Sequence, residues 1–138
     1  MIEKYYLDTS VWMDYYEDRE GYNREPLGKY AWKLLSLIKG EGKVLVISDV
    51  LFRELEVNYS IAKINGMLKF FEEILEKVFL TEEQNNESKI IAGKRNVPKG
   101  DVMHAILARD HKLILITRDK HFQKLRDMCK CYKPEEII

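Results

Sequence analysis

Residues 112–122, reading KLILITRDKHF, constrain the fold of this chain more than any other stretch. Leu113-Ile114-Leu115-Ile116 is an unbroken, partly β-branched apolar run between polar neighbours. That pattern suits a strand buried on both faces of a parallel sheet. The run ends at Thr117, and Asp119 follows where strand gives way to helix. Three other carboxylates stand at comparable joints: Asp8 after Lys4–Leu7, Glu54 beyond Val44–Ile47, and Asp101 at the start of the helix before this strand. An α/β sheet gathers such joints along one edge, where its ligands bind. The four acids are therefore expected to form one metal site.

The rest of the chain supplies the partners for that strand. Lys4–Leu7 reads as a first strand, Asp8-Thr9-Ser10 offers caps for a helix over Val11–Tyr16, and the polar Glu17–Pro26 reads as a loop. Leu27, Tyr30, Ala31, Leu34, Leu35 and Ile38 follow helical spacing until Gly40 and Gly42 stop it. Val44–Ile47 is the second strand, and Ser48 or Asp49 caps a helix running towards Asn58. Apolar residues at Ile61, Ile64, Leu68, Phe71, Leu75 and Val78 predict one long amphipathic helix, followed by a brief strand over Val78–Leu80. Its stripe reads as core, with a dimer interface as the second reading. Thr81 and Gln84 match a capping box for a helix ending near Asn96. Pro98 and Gly100 then break the chain before a helix from Asp101 to about His111. A helix over Lys120–Met128 and a last strand near Cys129–Tyr132 complete the order. Alternating strands and helices predict an α/β fold, a parallel sheet covered on both faces.

At 138 residues and 46% hydrophobic, the chain suits a single domain over 1–138. Its 23 basic and 23 acidic residues cancel, so nucleic acid would have to be held by a local patch. Aliphatic runs fall far short of the roughly 20 residues that span a bilayer. The charged Met1–Thr9 contains no apolar signal core. A soluble, cytoplasmic protein is expected. The C-x-C pair Cys129 and Cys131 lacks a second pair and reads as structural, its two side chains expected on opposite faces of the final strand.

Selecting four acids among 23 needs a reason. At about 100° per residue, Val50, Glu54 and Val57 share one helix face, whereas Glu56 lies some 200° from Glu54. A carboxylate among valines needs a partner, because an unpaired buried charge is costly. Asp101 likewise shares a face with Ala105 and Ala108. Helix capping alone explains Asp8, Asp101 and Asp119 individually. It does not explain Glu54, which lies inside its helix. Clustered carboxylates repel one another and raise their pKa values, and a hard divalent cation removes that conflict. All-oxygen ligands favour Mg²⁺ or Mn²⁺, whose chemistry suits phosphodiester hydrolysis.

These pieces together resemble the PIN domain, the nuclease family that includes VapC-type toxins of toxin–antitoxin pairs. The matching parts are Leu7-Asp8-Thr9-Ser10, Glu54, Gly100-Asp101, and Thr117-Arg118-Asp119-Lys120-His121-Phe122, in order along nearly the whole chain. The resemblance implies a three-layer α/β/α fold with a central parallel sheet of about five strands, often in a homodimer. By position it assigns Asp8, Glu54, Asp101 and Asp119 to Mg²⁺ or Mn²⁺, with Thr9 or Ser10 supporting the site and Thr117 orienting its neighbours. It implies an endoribonuclease acting on RNA, with an antitoxin as a candidate partner. His104 departs from the small or aliphatic residue expected three positions after Asp101, and the Glu17–Pro26 loop is long.

Arg118, Lys120 and Lys99 flank the acids and are candidate RNA contacts, although a solvated face explains them equally. His121 reads as a surface residue or a proton shuttle. Tyr5, Tyr6, Trp12, Tyr15 and Tyr16 offer stacking surfaces, and most read as packing. A phosphoaspartyl phosphatase would want a second acid where Ser10 stands, and a receiver domain would want an acid pair where only Asp8 occurs. The non-enzymatic alternative is an RNA-binding or scaffold module that keeps the fold and uses its acids as caps.

Overall fold

The computed structural model describes residues 2–138. Strands β1 (Lys4–Leu7), β2 (Val44–Ser48), β3 (Leu75–Val78), β4 (Ile114–Ile116) and β5 (Lys130–Tyr132) make one five-stranded sheet in the order β3-β2-β1-β4-β5. Every neighbouring pair is parallel. Side chains alternate across it as a period of two demands. Tyr5, Leu7, Leu45, Ile47 and Ile116 enter one core, while Tyr6, Val46 and Leu115 enter the other.

Helices α1 (Thr9–Glu17), α2 (Leu27–Gly40) and α4 (Ile61–Lys69) close the first core with Val11, Trp12, Leu34, Leu35, Ile38, Ile64 and Leu68. Helix α6 (Lys99–His111) closes the second with Val102, Ala105 and Ile106, joined by Phe122 and Leu125. Helix α5 (Glu82–Arg95) packs on α6, where Arg109 grips Glu87 through two hydrogen bonds of 2.7 and 2.8 Å. The result is the expected three-layer α/β/α arrangement.

The winding places the site. From β1 the chain builds outward through β2 to β3, then returns through α5 and α6 to lay β4 on the other side of β1. That reversal between β1 and β4 is a switch point, and crevices open there at the C-terminal ends of the strands. The end of β1 delivers Asp8, and the end of β4 delivers Thr117 and Asp119. Short helix α3 (Asp49–Leu55) follows β2 directly, capped by Ser48 Oγ accepting the Leu51 N–H, and carries Glu54.

Five expectations are corrected. The apolar stripe from Ile61 to Val78 is not one helix: α4 ends at Lys69, and Leu75–Val78 is β3, paired with β2 from Leu45↔Leu75 to Ser48↔Val78. Pairing satisfies the β2 backbone groups that would otherwise face an open sheet edge, and this outweighs the helical spacing. The brief strand expected over Val78–Leu80 thus lies three residues earlier, overlapping it at Val78 alone. The stretch after Asp119 is a 3₁₀ helix over Lys120–Leu125 rather than an α-helix to Met128. Because α3 stops at Leu55, Val57 leaves its face and is 80% exposed, so Glu54 does not sit between valines. Finally, Cys129 precedes β5, and its sulfur lies 3.6 Å from that of Cys131 rather than on an opposite face. Residues two apart along an extended chain share a face.

Candidate metal centre

Asp8, Thr9, Ser10, Glu54, Asp101, His104 and Asp119 line one pocket at the C-terminal edge of the sheet. Asp8 is buried where β1 ends, its backbone N–H bonded to Ile116 O of β4 at 3.0 Å. Oδ1 accepts the Val11 N–H at 3.1 Å, capping α1, and the Ser10 hydroxyl at 2.8 Å. Oδ2 accepts the Thr117 hydroxyl at 2.5 Å. Burial pushes the Asp8 carboxyl above its ordinary range, against the pull of the Thr117 and Ser10 hydrogen bonds.

Thr117 ties two acids together. Its hydroxyl donates to Asp8 and accepts the backbone N–H of Asp119 at 3.0 Å. Asp119 in turn caps the 3₁₀ helix by accepting the His121 N–H at 2.9 Å. Asp101 stands in the first turn of α6 with a side chain only 18% exposed. Burial, reinforced by the charge of Asp119, pushes its carboxyl up to about 6.

Glu54 Oε1 accepts from Thr9 Oγ1 and from His104 Nε2, both at 2.5 Å. Burial raises its carboxyl, but these donors outweigh it and hold the group below its ordinary value. Its other oxygen rests against Gly100, where a Cβ would come within 2.9 Å of Oε2. Glycine at position 100 thus leaves the room that Glu54 occupies. Glu56 is exposed, and Asp110 pairs with Arg109 at the far end of α6.

The fit to a cation is seen at Asp101. Its Oδ2 is buried and accepts no well-aligned hydrogen bond among the described residues. Asp101, Asp119 and His121 bring one potential ligand atom each within 4.8 Å of one another. His121 Nδ1 lies 2.9 Å from Asp119 Oδ1 and 3.1 Å from Asp101 Oδ2. The carboxylate oxygens suit a hard divalent ion such as Mg²⁺ or Mn²⁺, with the imidazole nitrogen a softer neighbour at the edge of the group. Asp8 and Glu54 line the same pocket outside that tight group.

Residues 5–128 match the PIN domain. The chain belongs to the PIN domain family. Solved structures agree with this PIN fold at low identity. VapBC2 from Rickettsia felis, bound to a DNA fragment from its promoter, shares 14% identity over 94% of this chain and 98% of that chain, with a TM-score of 0.68. A toxin–antitoxin complex from Klebsiella pneumoniae shares 16% over 94% and 97%, with a TM-score of 0.66. VapBC-1 from nontypeable Haemophilus influenzae shares 16% over 96% and 98%, with a TM-score of 0.65. Comparison with curated protein sequences gives no match. No helix among the described residues is long and apolar enough to cross a membrane.

Within this PIN domain, two histidines that sequence reasoning left outside the site touch its acids. His121 lay in a run of basic residues whose charge drew attention to RNA instead. His104 was visible only as an odd residue in its helix. Of the basic candidates, Arg118 is held by Glu135 at 2.6 and 2.8 Å and approaches Asp14 at 3.6 Å. Lys99 and Lys120 are in no salt bridge among the described residues. Of the aromatic candidates, Tyr5, Tyr6 and Trp12 are buried, whereas Tyr16 is exposed.

Proposed function

We propose that this PIN domain is a metal-dependent endoribonuclease of the VapC type, acting in the cytoplasm as a single nuclease domain over residues 1–138. The observation that carries the reading is the pocket itself: four acids from separate parts of the chain converge, and their hydroxyl and imidazole partners are already in place. Asp8, Glu54, Asp101 and Asp119 would hold Mg²⁺ or Mn²⁺, directly or through water. When bound, the ion polarises a phosphate oxygen and acidifies a coordinated water.

The chain's own groups do the rest. Asp101, raised to about 6, gives up its proton to free an oxygen for the cation near neutral pH. Thr117 keeps Asp8 and Asp119 at fixed separation, and Thr9 does the same between α1 and Glu54. Preorganisation of this kind removes the cost of gathering ligands during the reaction. A groove beginning at Asp119 and lined by Lys120, Arg126 and Lys133 offers cations for the phosphates of an RNA strand.

The toxin–antitoxin complexes among the structural relatives support an antitoxin as partner, and a homodimer fits the family. The test is cleavage of a mixed-sequence RNA with Mg²⁺ or Mn²⁺. Cleavage should vanish with EDTA and in Asp8→Asn. Cleavage that persists in Asp8→Asn would overturn the site. Absence of both cleavage and metal-induced stabilisation would favour the non-catalytic RNA-binding module.

A further inference from the structure

Beneath the acids runs a buried chain of polar side chains that the proposed reaction does not itself use. Ser48 Oγ lies 2.6 Å from Tyr6 Oη, Tyr6 Oη lies 2.6 Å from His104 Nδ1, and His104 Nε2 lies 2.5 Å from Glu54 Oε1. Ser48 and Tyr6 are fully buried and His104 is 2% exposed. Core filling alone would be served by an aliphatic residue at 104, because buried polar groups are unfavourable unless each finds a partner.

The donors and acceptors have one consistent direction. The Glu54 carboxylate can only accept, so Nε2 carries the proton. In the neutral ring Nδ1 is then an acceptor, and Tyr6 donates to it; burial keeps that phenol protonated. Tyr6 oxygen accepts from Ser48, whose oxygen accepts the Leu51 N–H at 3.0 Å. Every group along the line is satisfied.

This chain ends on a carboxylate that has reason to wander. Glu54 is the penultimate residue of the seven-residue helix α3, and its side chain is 37% exposed. A glutamate fixed in one conformation gives up much of its rotamer freedom. Thr9 and His104 both donate to Oε1, so they fix the carboxylate plane and leave Oε2 free against Gly100. His104 is the donor anchored in the core, on the helix that also carries Asp101, three residues away. It therefore sets the position of one acid relative to another.

We propose that His104 is a positioning residue that holds the Glu54 carboxylate for the divalent cation, an inference that rests on the metal reading above. Partners behind a ligand of this kind typically matter by about 10–100-fold in metal affinity. The test is Mn²⁺ affinity by isothermal titration, with melting temperatures of the metal-free proteins, for wild type, His104→Leu, His104→Gln and His104→Asn. Glutamine places its amide nitrogen where Nε2 stands, and asparagine is too short to reach Glu54.

His104→Gln should bind Mn²⁺ nearly as wild type does, whereas His104→Asn and His104→Leu should lose about 10–100-fold. Should His104→Leu fail to fold, the glutamine–asparagine pair still decides, since the two differ in reach and not in chemistry. Wild-type affinity in His104→Asn, or a His104→Gln as weak as His104→Asn, would overturn the positioning role while leaving the metal site standing. Absence of Mn²⁺ binding by the wild-type protein would overturn the metal reading itself, and this role with it.

Discussion

If Asp101 holds a cation as proposed, the proton competes with that cation. The Asp101 carboxyl stands near 6 because burial and then Asp119 oppose its ionisation, against about 3.9 in an unfolded chain. The folded state therefore binds more protons than the unfolded state between those two values, and stability falls as pH rises through that window. Burial shifts Asp8 in the same sense. Metal-free protein should lose melting temperature between about pH 4 and 6 from Asp101, and Asp101→Asn should flatten that slope. Mn²⁺ should reverse it, with affinity falling up to about tenfold per pH unit below 6 as one proton is displaced. Calorimetric titration at pH 5 and 7 checks both. Gly100 gives a second test at the same scale. A Cβ there would come 2.9 Å from Glu54 Oε2, yet alanine favours a helix over glycine by up to about 1 kcal/mol. Gly100→Ala should keep the metal-free stability and weaken Mn²⁺ binding about tenfold, separating the site from the fold.

At the scale of elements, α5 depends on its ends. Ser88 is its only fully buried residue among those described, and the half-buried Ile91 and Ala92 that pack on the second core lie in its C-terminal half, so the exposed N-terminal turn depends on its cap. Thr81 Oγ1 accepts the Gln84 N–H at 3.1 Å, and Gln84 Oε1 accepts the Thr81 N–H at 2.8 Å. Thr81→Ala should cost about 1 kcal/mol in urea unfolding with Mn²⁺ affinity unchanged, because α5 does not line the pocket. Loss of metal binding in that variant would show instead that α5 holds α6, and with it Asp101, in place. The box was legible in the sequence because both partners lie within one turn. So were β1, β2 and β4, each a short apolar run at a joint. A third strand was legible but displaced, expected over Val78–Leu80 and found at Leu75–Val78, since Leu75 and Val78 continue a helical spacing and only the neighbouring edge of β2 turns them into a strand. Asp8, Asp101 and Asp119, which share the pocket with Glu54, stand at strand ends and in a first helical turn, whereas Glu54 was reached through a valine face that the short α3 does not form. The role of His104 could not be read: its partners Glu54 and Tyr6 are 50 and 98 residues away, and nothing local distinguishes it from a core histidine.

The molecule as a whole carries no net charge, so attraction for RNA cannot come from its overall field and has to be concentrated. The groove that leaves the pocket at Asp119 supplies the means, with Lys120, Arg126 and Lys133 along it. Arg118 lines the same groove but is committed to Glu135, tying the C-terminal 3₁₀ turn to the loop after β4. Each phosphate neutralised on single-stranded nucleic acid contributes about −0.7 to the slope of log affinity against log salt. Three groove cations predict a slope of about −2, or a roughly 20-fold loss between about 50 and 200 mM salt. The measurement is RNA binding to Asp8→Asn, in which the proposed role of Asp8 predicts no cleavage, by fluorescence anisotropy across that range. Lys120→Ala, Arg126→Ala and Lys133→Ala should each flatten the slope by about 0.7. Arg118→Ala should leave it unchanged and lower the melting temperature instead, because it removes the cation 3.6 Å from the buried Asp14 carboxylate. A slope unaffected by the three groove substitutions would place the strand elsewhere on the surface, and a slope near zero would mean that RNA is held by stacking rather than by charge.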